Sequence, residues 1–266
     1  MVTSQAETCD AAQPAPHFWF PYRCVMPAHP ISRLRDRLQT DFVSDLPPGV
    51  HPVHEWCAEP QFFPGASGLL SEASWSDVKP TARGVTDQFL PAPHRGVVVI
   101  GHNLASLDSY NKVLSGEING FEKTWRCLRR LLADVSPREV FLTNAYMGLH
   151  VAPNDTTPPR KTRNYSRRCQ DLMGLELELF NPRLVVCLGG PAARMLAKVA
   201  DGLEDWSGQW NFQDLENSNA RTVPNCTYGE NSFTAVVVQH PAARRVDSQA
   251  RQLDTQRITH ASQPPN

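Results

Sequence analysis

Four short apolar runs in the later part of the chain predict the strands of a buried sheet. They occupy residues 97–100, 140–142, 184–188 and 235–238. Each run consists of consecutive apolar residues, many of them β-branched, whereas a strand with one face in water alternates between apolar and polar residues. We therefore expect a sheet that is covered on both faces.

Amphipathic helices are predicted between these runs. Apolar residues recur at helical spacing in two segments, at Phe121, Trp125, Leu128 and Leu132 and again at Leu172, Leu175 and Leu179. A further helix is predicted at Pro191, because proline favours the first turn of a helix. The alternation of strands and helices predicts an α/β fold of three layers (α/β/α), with a central, mostly parallel four-stranded sheet.

The first 95 residues have a different character. They contain more than half of the 23 prolines of the chain, a density that disfavours long helices and central strands. One short amphipathic helix is predicted around residues 31–42, and the aromatic residues of the segment indicate packing rather than disorder. We therefore divide the chain into an irregular extension packed on the core (1–95), an α/β domain (96–246) and a polar tail (247–266) that we expect to be frayed.

Composition argues against several classes of protein. Hydrophobic residues make up 41% of the 266 residues and charged residues 20%, as in ordinary globular proteins. We find neither an apolar run long enough to span a bilayer nor a secretory signal, so a cytoplasmic location is expected. The seven cysteines are dispersed and form no Cys-x-x-Cys pair, which favours free thiols over a disulfide framework or a metal site. We expect no metal and no cofactor.

The net charge of −1 implies that any nucleic-acid surface is local. Residues 158–168 are the candidate, because the segment has no acidic residue and five basic ones: Arg160, Lys161, Arg163, Arg167 and Arg168. The alternative is a solvated loop followed by the start of a helix.

Polar residues follow three of the four predicted strands. The four strand ends read Gly101-His102-Asn103, Thr143-Asn144-Ala145-Tyr146, Gly189-Gly190-Pro191 and Gln239-His240-Pro241. Taken singly, such an asparagine is most often a turn or cap residue, and a His-Pro pair is usually a turn. Open parallel sheets, however, bind ligands beyond the carboxyl ends of their strands. Together, Asn103, Asn144 and His240 therefore favour a binding site.

The ordered set of motifs resembles the uracil-DNA glycosylase superfamily. The set comprises Gly-x-Asn after the first strand, a strand ending in Thr-Asn-Ala, then Asn-Pro-Arg-Leu-Val-Val-x-Leu-Gly, and a strand ending in His-Pro. The resemblance covers residues 96–246. It implies an N-glycosyl hydrolase that removes uracil or a related damaged base from DNA and releases the free nucleobase.

The resemblance also implies roles for individual residues. Asn103 matches the residue that positions the attacking water, and His240 the histidine that stabilises negative charge on the departing base. Asn144 matches the carboxamide that pairs with the pyrimidine edge. The predicted base-binding set is completed by Phe121, which is equally well explained as a core residue, and by Gly101 and His102.

Two departures from the family pattern argue against repair of duplex DNA, and the identity of Asn103 bears on the rate. The first departure is that Asn103 is followed by Leu104-Ala105-Ser106, without the proline-aromatic continuation of some branches; the second is the segment after the His-Pro pair. Asn103 cannot act as a general base, so slow cleavage is expected. The pair His240-Pro241 is followed by Ala242-Ala243-Arg244-Arg245 instead of an apolar wedge. Arg244 and Arg245 are candidates for contacts to DNA phosphates, together with the basic segment at 158–168. Asp108 is either a second water-positioning group or an acid at the start of a helix.

Three hypotheses remain open. The first is a glycosylase acting on single- or double-stranded DNA. The second is a binding module of the same fold that recognises a nucleobase, nucleotide or modified DNA without cleaving it. The third is an unrelated flavodoxin-like protein, in which Asn103, Asn144 and His240 would not share one pocket.

Overall fold

The computed structural model describes residues 30–53, 74–75, 94–103, 106–115, 122–149, 162–241, 243 and 248–263. The strands are β1 (Val97–Asn103), β2 (Val140–Tyr146), β3 (Leu184–Leu188), β4 (Thr222–Tyr228) and β5 (Asn231–Val238). The helices are α1 (Pro30–Asp41), α2 (Leu107–Leu114), α3 (Glu122–Leu131), α4 (Arg163–Phe180), α5 (Gly190–Leu196), α6 (Glu204–Ser207), α7 (Phe212–Asn217) and α8 (Ser248–Ser262), and one 3₁₀ turn spans Pro137–Glu139.

The strands form one sheet in the order β2-β1-β3-β5-β4. The pairs β1–β2, β1–β3 and β3–β5 are parallel, and β4 pairs with β5 in the antiparallel sense. The predicted α/β fold with a mostly parallel sheet is confirmed.

The expected number of four strands is wrong, because β4 adds a fifth at the edge of the sheet. β4 contains Pro224 and Asn225, the latter at φ +58°, and most of its residues are partly or fully exposed. Its register with β5 also shifts between Val223 and Cys226. An edge strand of this kind carries no continuous apolar run, so the pattern that predicted the other four strands could not detect it.

Alternate residues of the sheet enter two separate hydrophobic cores. Val98 and Ile100 of β1 belong to the larger core, which also contains buried residues of α1, α4 and α5. Val97 and Val99 belong to the smaller core, with buried residues of α3 and α8. We call these two sides of the sheet the α4 face and the α8 face. Both faces are covered by helices, as the continuous apolar strands predicted.

The proline-rich extension contributes helix α1 at the position predicted from its amphipathic pattern. α1 packs against α4, and Leu34, Leu38 and Phe42 are buried in the larger core. The guanidinium of Arg168 donates to the carbonyl oxygens of Asp41 (2.6 Å), Ser44 (2.9 Å) and Asp45 at the carboxyl end of α1. The division of the chain at residue 95 stays a prediction.

The segment expected to be a frayed tail forms helix α8 instead. Ile258 of α8 is fully buried in the smaller core, and Asp254 is 1% exposed. Sequence reasoning failed here because α8 is polar along most of its length. Its attachment depends on Ile258, with Ala261 packed beside it, and on an ion pair of Asp254 with Arg221, which lies far away in the sequence.

The burial of Ile258 in the smaller core leads to a prediction about the free energy of unfolding. Ile258→Ala should lower the free energy of unfolding by roughly 2–5 kcal/mol, as expected for loss of a buried aliphatic side chain. Leu253→Ala, on the same helix at a position 41% exposed, is the matched control and should change it by less than about 0.5 kcal/mol. Urea denaturation measures both. Equal effects of the two substitutions would contradict the docked position of α8.

Candidate functional site

The strand register brings the three predicted polar residues to one end of the sheet. Asn144 of β2 pairs with Gly101 of β1, and Leu188 of β3 pairs with Val238 of β5 at the same level. Asn103 and His240 therefore each lie two residues further along their strands than the level of Asn144. All three lie at the carboxyl end of the parallel strands.

Strand β3 separates Asn103 from His240. Neighbouring strands lie about 4.8 Å apart, so the backbones of Asn103 and His240 are roughly 10 Å apart across β3. The chain that follows β3 between them is Gly189-Gly190, which contributes no side chain to the space between the two residues.

The alternation of side chains places Asn144 on the α8 face of the sheet. Leu142 of β2 belongs to the core on that face, and Asn144 follows it at even spacing within the same strand. Asn103 is the last residue of β1, where its partner Tyr146 already lies in the core on the α4 face, and His240 lies two residues beyond the end of β5, so the alternation assigns a face to Asn144 alone. Thr143, the neighbour of Asn144, is directed to the α4 face, where its hydroxyl donates to Oε1 of Glu176 at 2.7 Å.

Gly189 makes the close approach between β3 and His240 possible. Its φ is +94°, a conformation that residues with a side chain rarely adopt, and its N–H donates to the carbonyl of Val238 at 2.9 Å. A Cβ at Gly189 would lie 3.4 Å from Cβ of His240. The absence of a side chain at Gly189 thus allows the backbone at the end of β3 to lie directly beside His240.

His240 is half-buried, and its pKa is lowered from 6.5, first by burial and then by the positive charge of Arg251. A lowered pKa means that the imidazole is neutral at pH 7. A neutral imidazole has one N–H donor and one acceptor nitrogen. Asn144 is 3% exposed, so its amide lies in a largely dry environment, where a hydrogen bond to a ligand is strong.

A family model described as the uracil DNA glycosylase superfamily matches residues 95–260. The chain belongs to the uracil DNA glycosylase superfamily. The matched segment includes the strand ends described above and nearly all of α8. Comparison with curated proteins found no match.

Several predicted site residues of this superfamily member are not placed. Phe121, Arg160, Lys161, Arg244 and Arg245 lie outside the described residues. Their proposed contacts to the base and to DNA stay predictions.

Arg163 and Arg168 differ in their availability for DNA. Arg163, the first residue of α4, is exposed. Arg168 is committed to the carbonyl oxygens at the end of α1. Within the basic segment at 158–168, Arg168 therefore stabilises the fold, whereas Arg163 is exposed to solvent.

Gly101 and His102 occupy different environments within β1. Gly101 is buried, whereas His102 is half-buried and lies edge-on to the ring of Tyr146, with 5.9 Å between ring centroids. Tyr146 in turn stacks on Tyr165 of α4. His102 thus lies towards the α4 face, and its contact with a base stays a prediction.

Asp108 lies in the first turn of α2. Its carboxylate pairs with Lys112 one turn later at 2.7 Å, and both side chains are exposed. This is the arrangement of an acid at the start of a helix, one of the two alternatives left open by the sequence.

Arg194 is a cation near the site that sequence reasoning missed. A Cβ at Gly190 would lie 3.0 Å from its Nη1, and its guanidinium lies over the ring of Trp210, 5.6 Å from the centroid. The helical spacing of residues 191–199 had indicated only a core helix. A cation stacked on an indole at the end of β3 is a further candidate for a phosphate contact.

Two general properties follow from the part of the chain that the structure describes. Within it, His, Cys, Asp and Glu form no group of three or more that could hold a metal ion. None of its helices combines the length and apolar character needed to cross a membrane.

Glu176 is a buried acid directly behind the strand that carries Asn144. Burial raises its pKa from 4.5 to about 8, and the hydrogen bond from Thr143 opposes that shift. Sequence reasoning missed it because the segment Leu175-Glu176-Leu177-Glu178-Leu179 gives no local sign that one of its two acids is buried. At pH 7 the carboxyl group is mainly protonated.

The raised pKa of Glu176 predicts a pH-dependent stability. Relative to Glu176→Gln, the wild type has its full stability below about pH 4.5 and loses stability as the pH rises to about 8. One pKa unit corresponds to about 1.4 kcal/mol, so the change should reach a few kcal/mol. Urea denaturation at a series of pH values measures it. Glu178→Gln, at an exposed position of the same helix, is the control and should show no such trend; a flat difference for Glu176→Gln would contradict the buried acid.

Proposed function

We propose that the protein is a DNA glycosylase that hydrolyses the N-glycosidic bond of uracil, or of a related damaged base, in DNA. One observation carries the proposal. In a member of the superfamily, two carboxamides and a neutral histidine lie at the carboxyl end of the parallel strands. The groups lie where such a sheet binds its ligand.

Asn144 is proposed to recognise the base. Its side chain offers an N–H₂ donor and a carbonyl acceptor together, which matches the adjacent carbonyl and N–H groups of uracil. Because Asn144 is 3% exposed, a base that leaves one of these groups without a partner carries a desolvation penalty of about 1–3 kcal/mol. This penalty gives selectivity between bases.

His240 is proposed to stabilise the departing base. As the glycosidic bond breaks, its electron pair moves to the base, and negative charge builds up on a ring carbonyl oxygen. A neutral imidazole donates its N–H to that oxygen without transferring a proton. In a half-buried site such a preorganised donor lowers the barrier far more than it would in water.

Asn103 is proposed to position the water. Its amide oxygen accepts a hydrogen bond from the water that attacks the sugar carbon, and the sugar passes through an oxocarbenium-like state that needs little help from a base. Asn103 cannot accept the proton of that water, which passes to the departing base anion or to solvent after the water has added to the sugar carbon. The expected enzyme is therefore slow.

DNA contacts are proposed for a set of basic residues. The set consists of Arg160, Lys161, Arg163, Arg244 and Arg245 from the sequence and Arg194 from the structure. Contacts of this kind hold the strand while the base leaves the stack, a step that costs a few kcal/mol. Single-stranded DNA reduces that cost because its bases are already unpaired.

A second candidate function is recognition without cleavage. The observation in its favour is Asn103 itself, because an amide at this position can orient a water but cannot activate it. In that case the same residues bind a nucleobase, a nucleotide or modified DNA.

The proposed activity predicts formation of abasic sites. A labelled oligonucleotide containing one uracil, single- or double-stranded, should become sensitive to alkaline cleavage in the presence of the protein. His240→Ala should lower the single-turnover rate by about 10²–10³-fold, as loss of one preorganised donor does. Asn103→Ala should also lower it, and His260→Ala, at an exposed position on α8, should leave it unchanged.

Calorimetry with uracil separates the two functions. Binding of uracil that is lost in Asn144→Ala, together with no abasic sites on either substrate, would replace the glycosylase by the binding module. Absence of both binding and cleavage would reject both candidates.

A further inference from the structure

Helix α8 contacts the backbone on both sides of His240. Oδ2 of Asp254 accepts a hydrogen bond from the N–H of Gln239 at 2.9 Å. Nη2 of Arg251 donates to the carbonyl oxygens of Pro241 (3.1 Å) and Ala243 (3.3 Å). Two side chains of one helix thus hold the residues immediately before and after the histidine.

These side chains take the place of a strand partner. The pairing of β5 with β3 ends at Val238, and Gly189 supplies the last N–H to that strand. The following N–H and C=O groups are partly buried, and buried backbone groups need hydrogen-bond partners. Arg251 and Asp254 supply partners for the backbone at 239, 241 and 243, so they fix the path of the turn that carries His240.

Asp254 is itself held rigidly. It is 1% exposed and forms an ion pair with Arg221 through Oδ1. Arg221 also donates to the carbonyl of Val237, from Nε at 3.1 Å and from Nη2 at 3.0 Å. A buried carboxylate is tolerated only when both oxygens have partners. Here one oxygen binds the guanidinium and the other the N–H next to His240, so the carboxylate connects the two.

Arg251 adds an electrostatic influence to this geometry. Burial is the larger cause of the lowered pKa of His240, and the positive charge of Arg251 lowers that pKa further. The same guanidinium therefore orients the turn and favours the neutral imidazole. A residue that only attached α8 to the sheet would neither orient the turn nor change the pKa of His240. Ile258 already provides an apolar contact that attaches α8.

We propose that Arg251 and Asp254 are positioning residues for His240, which act through the backbone of residues 239, 241 and 243 and set the rate of base release. The inference rests on the glycosylase function proposed above. A displacement of a catalytic group by about 1 Å costs up to roughly 10²-fold in rate. Neither residue needs to touch the substrate for this effect.

The test compares two kinds of α8 variant. Arg251→Gln and Asp254→Asn remove a charge and keep the size of the side chain. Ile258→Ala weakens the attachment of α8 and leaves the hydrogen bonds to the turn in place. The single-turnover rate and the KM for a uracil-containing single strand are measured on the folded full-length proteins. The pKa of His240 is measured by NMR titration of its imidazole, assigned by comparison with His240→Ala.

Arg251→Gln and Asp254→Asn should lower the single-turnover rate about 10- to 100-fold with KM nearly unchanged. In Arg251→Gln the pKa of His240 should rise towards its ordinary value, because a positive charge is removed. Arg251→Lys should restore the low pKa but only part of the rate, since an ammonium cannot reproduce the bonds of the guanidinium to both carbonyls. Ile258→Ala should keep both rate and pKa while losing stability.

Two results would overturn the proposal. One is a rate loss in Arg251→Gln and Asp254→Asn no larger than that in Ile258→Ala. The other is an unchanged pKa and chemical shift of His240 in Arg251→Gln. If the wild type cleaves no uracil-containing DNA, the proposed glycosylase function fails by itself. The NMR titration then still decides whether Arg251 acts on His240.

Discussion

Beyond Val238 the chain leaves the sheet, and its backbone groups need new partners there. Strand pairing has ended on the β3 side, while the turn is still partly buried. The protein meets this constraint with ionic side chains from a helix at the far end of the sequence. The position of His240, and with it the chemistry proposed for the site, depends on these hydrogen bonds from Arg251 and Asp254.

The two faces of the sheet support the site in different ways. On the α4 face, a protonated acid, Glu176, accepts a hydrogen bond from Thr143 directly behind Asn144. On the α8 face, Asp254 is paired with Arg221 beside His240; burial raises the pKa of Asp254, and the charge of Arg221 opposes that shift. The first group avoids the desolvation of a charge by staying neutral, and the second offsets it with an opposite charge. Each holds the backbone or a side chain at the end of a strand by a hydrogen bond.

The sequence could predict those elements whose residues form a local pattern, namely the apolar strands and the polar residues that follow them. Continuous apolar runs reveal β1, β2, β3 and β5, and the polar residues after them are local to each strand. β4 was missed because Pro224 and its exposed neighbours break that pattern. The role of α8 was missed because the pairing of Asp254 with Arg221 spans 33 positions. No local periodicity reports such a contact, so the strand ends were predictable and the groups that hold His240 were not.

Helix α1 has a consequence for where the domain can be cut. The family match begins at residue 95, yet Leu34, Leu38 and Phe42 of α1 complete the core on the outer side of α4, and the ring of Phe42 lies edge-on to Tyr165. A truncation that starts at the family boundary would leave this surface of α4 in water. Exposed apolar surface of that kind promotes self-association. The segment that carries the family motifs is therefore smaller than the unit that can remain monodisperse in solution.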